Sequence, residues 1–278
     1  MNESYKKSLL FCFFLSVIYV TVFSYPSFFI WEFGSLAFIT IVFWFSYFGV
    51  KPKLNEIFEN SKFLIIPILF NLGAMLFIST FFQSYVKALF SFAIIIANLY
   101  LTVALKKIYN LREKAAIFQR NVVISISFLS IFFSTAALFR FYVQISITQL
   151  SLISNLLVTI AVFAVFYLVS YFLGWQSGTD LKKFYPYNLV NALIGAEFAW
   201  VGMFWVVNYP TFGNTGKMSL GGVPLPAVAL TIIFYFLWGI ISQKVEKNLT
   251  RQVLTEYFLI TMIFLLALIV TAHWLPIS

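Results

Sequence analysis

Cysteine, histidine and aspartate occur once each, as Cys12, His273 and Asp180. A lone thiol forms no intramolecular disulfide and no CxxC metal or redox site, so Cys12, inside an apolar run, reads as a buried free thiol. A lone histidine excludes the H-E-x-x-H zinc cluster, and His273 beside Trp274 reads as an interfacial anchor. Aspartyl chemistry needs two carboxylates sharing a proton, and Asp180 has no second aspartate. No G-x-S-x-G elbow presents a serine nucleophile. The stretch Gly213 to Lys217 falls short of a phosphate loop, because Thr211 occupies the place of the first glycine and Met218 replaces the magnesium-binding hydroxyl residue. No metal and no cofactor is expected, and the chain leans away from enzymes.

Charge is scarce as well: 10% of residues are charged, against roughly 25% in soluble domains. What fills the chain is apolar, at 62% of 278 residues and a mean hydropathy of +0.96. Nine apolar runs cover 8–24, 28–49, 63–82, 86–105, 121–140, 150–172, 188–207, 225–243 and 253–274. Each matches the roughly 20 residues of a membrane-crossing helix. Positions 43–48, apart from Ser46, and 94–97 are apolar on consecutive positions, which argues against the alternating strands of a membrane barrel. The expected fold is therefore an all-α integral membrane bundle of about nine helices, forming one domain over 1–278, with backbone polar groups satisfied inside each helix.

Fifteen of the eighteen Lys and Arg residues fall before the first run or in the even-numbered links, leaving Lys87, Arg140 and Lys217 for the other side. Cytoplasmic links carry the basic excess, so the N-terminus is expected inside and the C-terminus outside. The net charge of +9 then faces anionic lipid headgroups on the cytoplasmic surface, and nucleic acid is not needed to explain it. The composition is that of bacterial inner-membrane proteins, which places the chain in the cytoplasmic membrane of a bacterium, with the bilayer as its one expected partner. The first run follows Lys6 and Lys7 as a secretory signal would, but no A-x-A site follows, and it is expected to be retained. Between the fourth and fifth runs, Ile108, Leu111, Ala115 and Phe118 are spaced as one face of a short amphipathic surface helix over 106–120. The link from Asn208 to Pro226, with four glycines and three prolines, reads as an irregular external loop.

The seventh run is the most informative. Asn188, Ala192, Gly195, Ala199 and Gly202 recur at spacings of 4, 3, 4 and 3, a stripe of small side chains that suits close helix packing. Glu197 lies on a second face with Val190, Leu193 and Val201, at mid-membrane depth. An ionisable group there is by default a functional candidate. Polar residues form stripes on other runs too, among them Asn71 and Ser79; Lys87, Ser91, Asn98 and Thr102; Ser127, Ser130 and Ser134; Asn155 and Thr159. Should these converge, Glu197, Asn191 and Asn98 line a polar pocket that binds or moves a small or lipid-like molecule. Otherwise they hold helices together in a non-catalytic scaffold. A lipid-modifying transferase is the weaker third reading, since the external links carry no acidic residue. Glu32, Lys87 and Arg140 form a candidate external charge cluster. Of the eight prolines only Pro67 is expected inside a helix, so the paired helix interruptions of ion-coupled transporters are not expected.

Overall fold

A computed structural model describes residues 3–24, 29–48, 61–79, 84–111, 117–146, 151–177, 181–208 and 224–271. Among them are nine α-helices and no strand: α1 Glu3–Ser24, α2 Phe29–Phe48, α3 Ile65–Ser79 after a 3₁₀ turn at Ser61–Leu64, α4 Ser84–Leu111, α5 Ile117–Ser146, α6 Ser151–Gln176, α7 Leu181–Asn208, α8 Leu225–Val245 and α9 Arg251–Thr271. Six stretches are long and apolar enough to cross a membrane: Lys62–Ser79, Tyr85–Tyr109, Ile117–Arg140, Leu152–Gln176, Leu225–Val245 and Arg251–Leu268. The all-helical, membrane-type character expected from the apolar runs is thus what the chain adopts.

Two expectations fail at helix ends. The seventh run was expected to start at residue 188, but α7 starts at Leu181 and takes Pro186 inside it. Pro186 lies in the second turn, past the N-terminal N–H groups that have no helical acceptor, so it forgoes the bond to the carbonyl of Lys182. Of the surface helix expected over 106–120, residues 106–111 are the end of α4 and 117–120 the start of α5, while 112–116 lie outside the described residues. Leu101, Ala104, Leu105 and Ile108 continue the buried face of α4 to its end at Leu111, whereas Phe118 is 63% exposed on α5.

The chain packs as two compact units, Met1–Ser130 and Ile131–Ser278, so α5 contributes to both. In the first unit α1 lies against α2 and α4, and α3 against α2 and α4. Phe11, Leu15, Leu36, Phe70 and Phe77 are fully buried there. Phe11 stacks on Phe43 with ring centroids 4.0 Å apart, fastening α1 to α2. Cys12 is a buried free thiol in α1, in weak contact with the carbonyl of Ile95 on α4.

In the second unit α7 lies between α6 and α8, and α9 leans on α8. Glycines set these approaches. A Cβ on Gly195 would run into the ring of Phe166, one on Gly202 would stand 2.9 Å from Cβ of Pro226, and one on Gly239 would run into the ring of Tyr257. Ala192 and Ala199 on the same side of α7 are fully buried. The small-residue stripe is therefore the packed side of α7, where absent side chains let backbones meet. Between α8 and α9 the chain turns through Lys247, whose φ is 60°. Lys247 N–H donates to the Lys244 carbonyl and Asn248 N–H to the Gln243 carbonyl, closing the end of α8 as a Schellman motif with lysine in the usual glycine position. The Thr250 hydroxyl then accepts from Val253 N–H and caps α9.

Candidate functional site

Polar groups in an apolar helix bundle can be sorted by whether their hydrogen bonds close locally. Most do. Ser91, Ser127, Ser130, Thr135 and Thr159 donate to carbonyls four residues back on their own helices, at 2.7 to 2.8 Å. Ser79 and Thr102 donate three residues back. These hydroxyls close their hydrogen bonds on their own backbone.

Asn98 closes differently, against a second asparagine. Its Nδ2 donates to Oδ1 of Asn71 at 2.9 Å, and Nδ2 of Asn71 donates back to Oδ1 of Asn98 at 3.0 Å. Each amide gives its other hydrogen to its own helix, Asn98 to the Ile94 carbonyl and Asn71 to the Pro67 carbonyl. Both residues are fully buried. All four amide hydrogens and both oxygens are engaged, so this pair is a clasp between α3 and α4 in the first unit.

The second unit holds an open counterpart. Asn191 on α7 donates through Nδ2 to the Ser170 hydroxyl on α6 at 2.7 Å, but its Oδ1 has no partner. One turn earlier on the same side of α7, Asn188 has no partner among the described residues at either Nδ2 or Oδ1. Asn188, Asn191 and Ser170 are each 0% exposed. Helix spacing of three puts the two asparagines about 5–6 Å apart at Cβ. Aromatic contacts bracket them along α7: Phe184 stacks on Trp238 at 5.7 Å on one side, and Phe166, pressed to Gly195, meets Phe234 edge-on at 5.1 Å on the other. An amide with neither atom satisfied in such surroundings costs about 1–3 kcal/mol. Gln176, at the end of α6, likewise has both amide atoms buried without partners.

Glu197 is on another side of α7. It is exposed, as are Val190, Leu193 and Val201, which are 51%, 54% and 50% accessible. The residues expected to share one pocket therefore have three different settings: Asn98 saturated in the first unit, Asn191 half-satisfied inside the second, Glu197 on the second unit's surface. Of the expected charge cluster, Lys87 belongs to the first unit and Arg140 to the second, while the side chain of Glu32 lies outside the described residues. His273 and most of the 208–226 loop also lie outside them.

Sequence reading missed Asn188 as a polar group by grouping it with the small residues, and passed over Ser170. Folding α6 onto α7 as an antiparallel pair would have set Ser170 opposite Asn191. The open amides offer hydrogen-bond donors and acceptors without charge, which suits binding more than bond-breaking. Among the described residues no group of three His, Cys, Asp or Glu is placed to hold a metal ion. Comparison with protein-family models, with curated proteins and with solved structures gives no match.

Proposed function

We propose that this chain is a nine-span protein of a bacterial cytoplasmic membrane, N-terminus inside and C-terminus outside, that binds a small or lipid-like molecule in the second unit. The polar part of that molecule is held by Asn188 and Asn191 of α7 beside Ser170 of α6. The observation that carries this reading is Asn188, fully buried with both amide atoms unpaired between two aromatic contacts. Buried amides left open in a bundle whose other asparagine pair is closed are groups kept for a partner. Their neutrality favours amide, hydroxyl or carbonyl groups over ions. Binding or transfer across the membrane both begin with this site.

The test is thermal unfolding of the purified protein with panels of small polar compounds and lipid extracts, set beside Asn188→Leu. A molecule bound at the site raises the Tm of the native protein in proportion to its saturation and leaves the variant unmoved. Equal shifts in both proteins would place binding elsewhere.

A scaffold role is the second reading, and the exposed side of α7 favours it. Glu197 among Val190, Leu193, Phe198 and Val201 puts a carboxyl on an apolar surface, where a neighbouring helix from another protein would relieve its cost. A partner that copurifies with the native protein and is lost from a Leu193→Ser/Val201→Ser variant would support that role.

A further inference from the structure

Apart from the open amides, the first unit carries a groove between α1 and α2 whose two ends differ in chemistry. The groove has a volume of about 390 Å³, within the roughly 300–1,000 Å³ range of small-molecule sites. Its floor is the stacked pair Phe11 and Phe43, which also joins the two helices. Its walls are Leu10 and Phe14 from α1 and Phe38 and Val42 from α2, which are 59%, 44%, 67% and 48% exposed. At one end stand Lys6 and Lys7, both exposed. From Lys6 to Phe14 the wall runs eight residues of helix, about 12 Å.

Lys106, near the end of α4, lies within electrostatic reach of Lys7 and is a third cation near that end, outside the groove's lining. The positive N-terminal end of the α1 dipole points the same way. An apolar trough with cations gathered at one mouth matches a molecule that is apolar along its length and anionic at its tip. A peptide helix would match the trough but not its polarity, and free phosphate would match the cations but leave the trough empty.

We propose that the α1–α2 groove is a binding site for one anionic phospholipid, an acyl chain lying between Leu10, Phe14, Phe38 and Val42 and the phosphate held by Lys6 and Lys7. This goes beyond general attraction of basic links to the inner leaflet, since it assigns the lipid a seat with walls. It rests on the chain being a membrane protein, and it is independent of the open amides in the second unit.

The experiment is native mass spectrometry of the detergent-purified full chain titrated with phosphatidylglycerol, phosphatidylcholine of the same chains, or glycerol phosphate. The native protein is expected to hold one phosphatidylglycerol with roughly thirtyfold preference over phosphatidylcholine, the scale set by two lysines at a membrane surface. Lys6→Gln/Lys7→Gln is expected to erase the preference while weak binding of both lipids persists, and Lys6→Arg/Lys7→Arg to keep it. Leu10→Trp, at an exposed position, fills the trough and is expected to remove the single lipid without lowering the Tm. Glycerol phosphate is expected not to compete at equal concentration. Preference unchanged by the double glutamine variant, or binding unchanged by Leu10→Trp, would overturn the site and reduce the lipid to a general annulus. Competition by glycerol phosphate would show an ion site without a chain seat and would overturn it as well.

Discussion

Replacing either of two buried asparagines by leucine, which has a similar volume, should move stability in opposite directions. At Asn98 the substitution removes the two reciprocal bonds with Asn71, each worth about 0.6 kcal/mol between membrane helices. It also strands Oδ1 and one hydrogen of Asn71 in a fully buried place, at a further cost of about 1–3 kcal/mol. Leucine returns part of this through apolar contact, leaving a net loss of about 2 kcal/mol. At Asn188 nothing is lost, because neither amide atom has a partner, and removing the orphaned groups gains about 1–2 kcal/mol in the ligand-free protein. Asn71→Leu/Asn98→Leu should recover most of the loss of Asn98→Leu, since the closed pair leaves together. Reversible unfolding in mixed micelles, with the denaturing detergent as variable, measures all four proteins. Loss of stability at Asn188 equal to that at Asn98 would refute the distinction between an open site and a closed one.

Three further substitutions test the packing and the separation of faces. Gly195→Ala should cost about 1–3 kcal/mol in the same unfolding assay, because its methyl meets Phe166, itself fully buried and held by Phe234. Lys247→Gly should stabilise the α8–α9 turn by about 0.5–1 kcal/mol, as glycine adopts the positive φ without steric cost. It would be detected as slower hydrogen exchange at Asn248. Glu197→Gln should leave the ligand-dependent rise in Tm unchanged, since Glu197 is exposed and the open amides are buried. Loss of that response would return Glu197 to the binding site.

The helices among the described residues were legible because the hydrophobic run needed to satisfy a backbone in lipid is long. Their ends were less so. Lys182, Lys183 and Pro186 have the composition of a link, yet backbone hydrogen bonding carries α7 through them. Residues 106–111 show the converse, an amphipathic spacing that belonged to the end of α4. Glu197 drew attention by its charge, and its spacing from Gly195 did place it away from the small-residue stripe. The open site was harder to see, because hydrogen-bond satisfaction is a tertiary property. Asn98 and Asn188 are alike as letters, and only Asn71 across the α3–α4 contact, and its lack of any equivalent beside Asn188, separates them.

The central claim is that the amide of Asn188 is open while that of Asn98 is closed, and side-chain amide hydrogen exchange reads this directly. The protein, labelled with ¹⁵N-asparagine in lipid nanodiscs, would be assigned with Asn188→Leu and Asn98→Leu. The account predicts that the Asn188 side-chain hydrogens, which have no acceptor among the described residues, exchange faster in the ligand-free protein than those of Asn98, which are held by Asn71 and the Ile94 carbonyl. Equal protection at both residues would show Asn188 to be sealed, and would contradict the site.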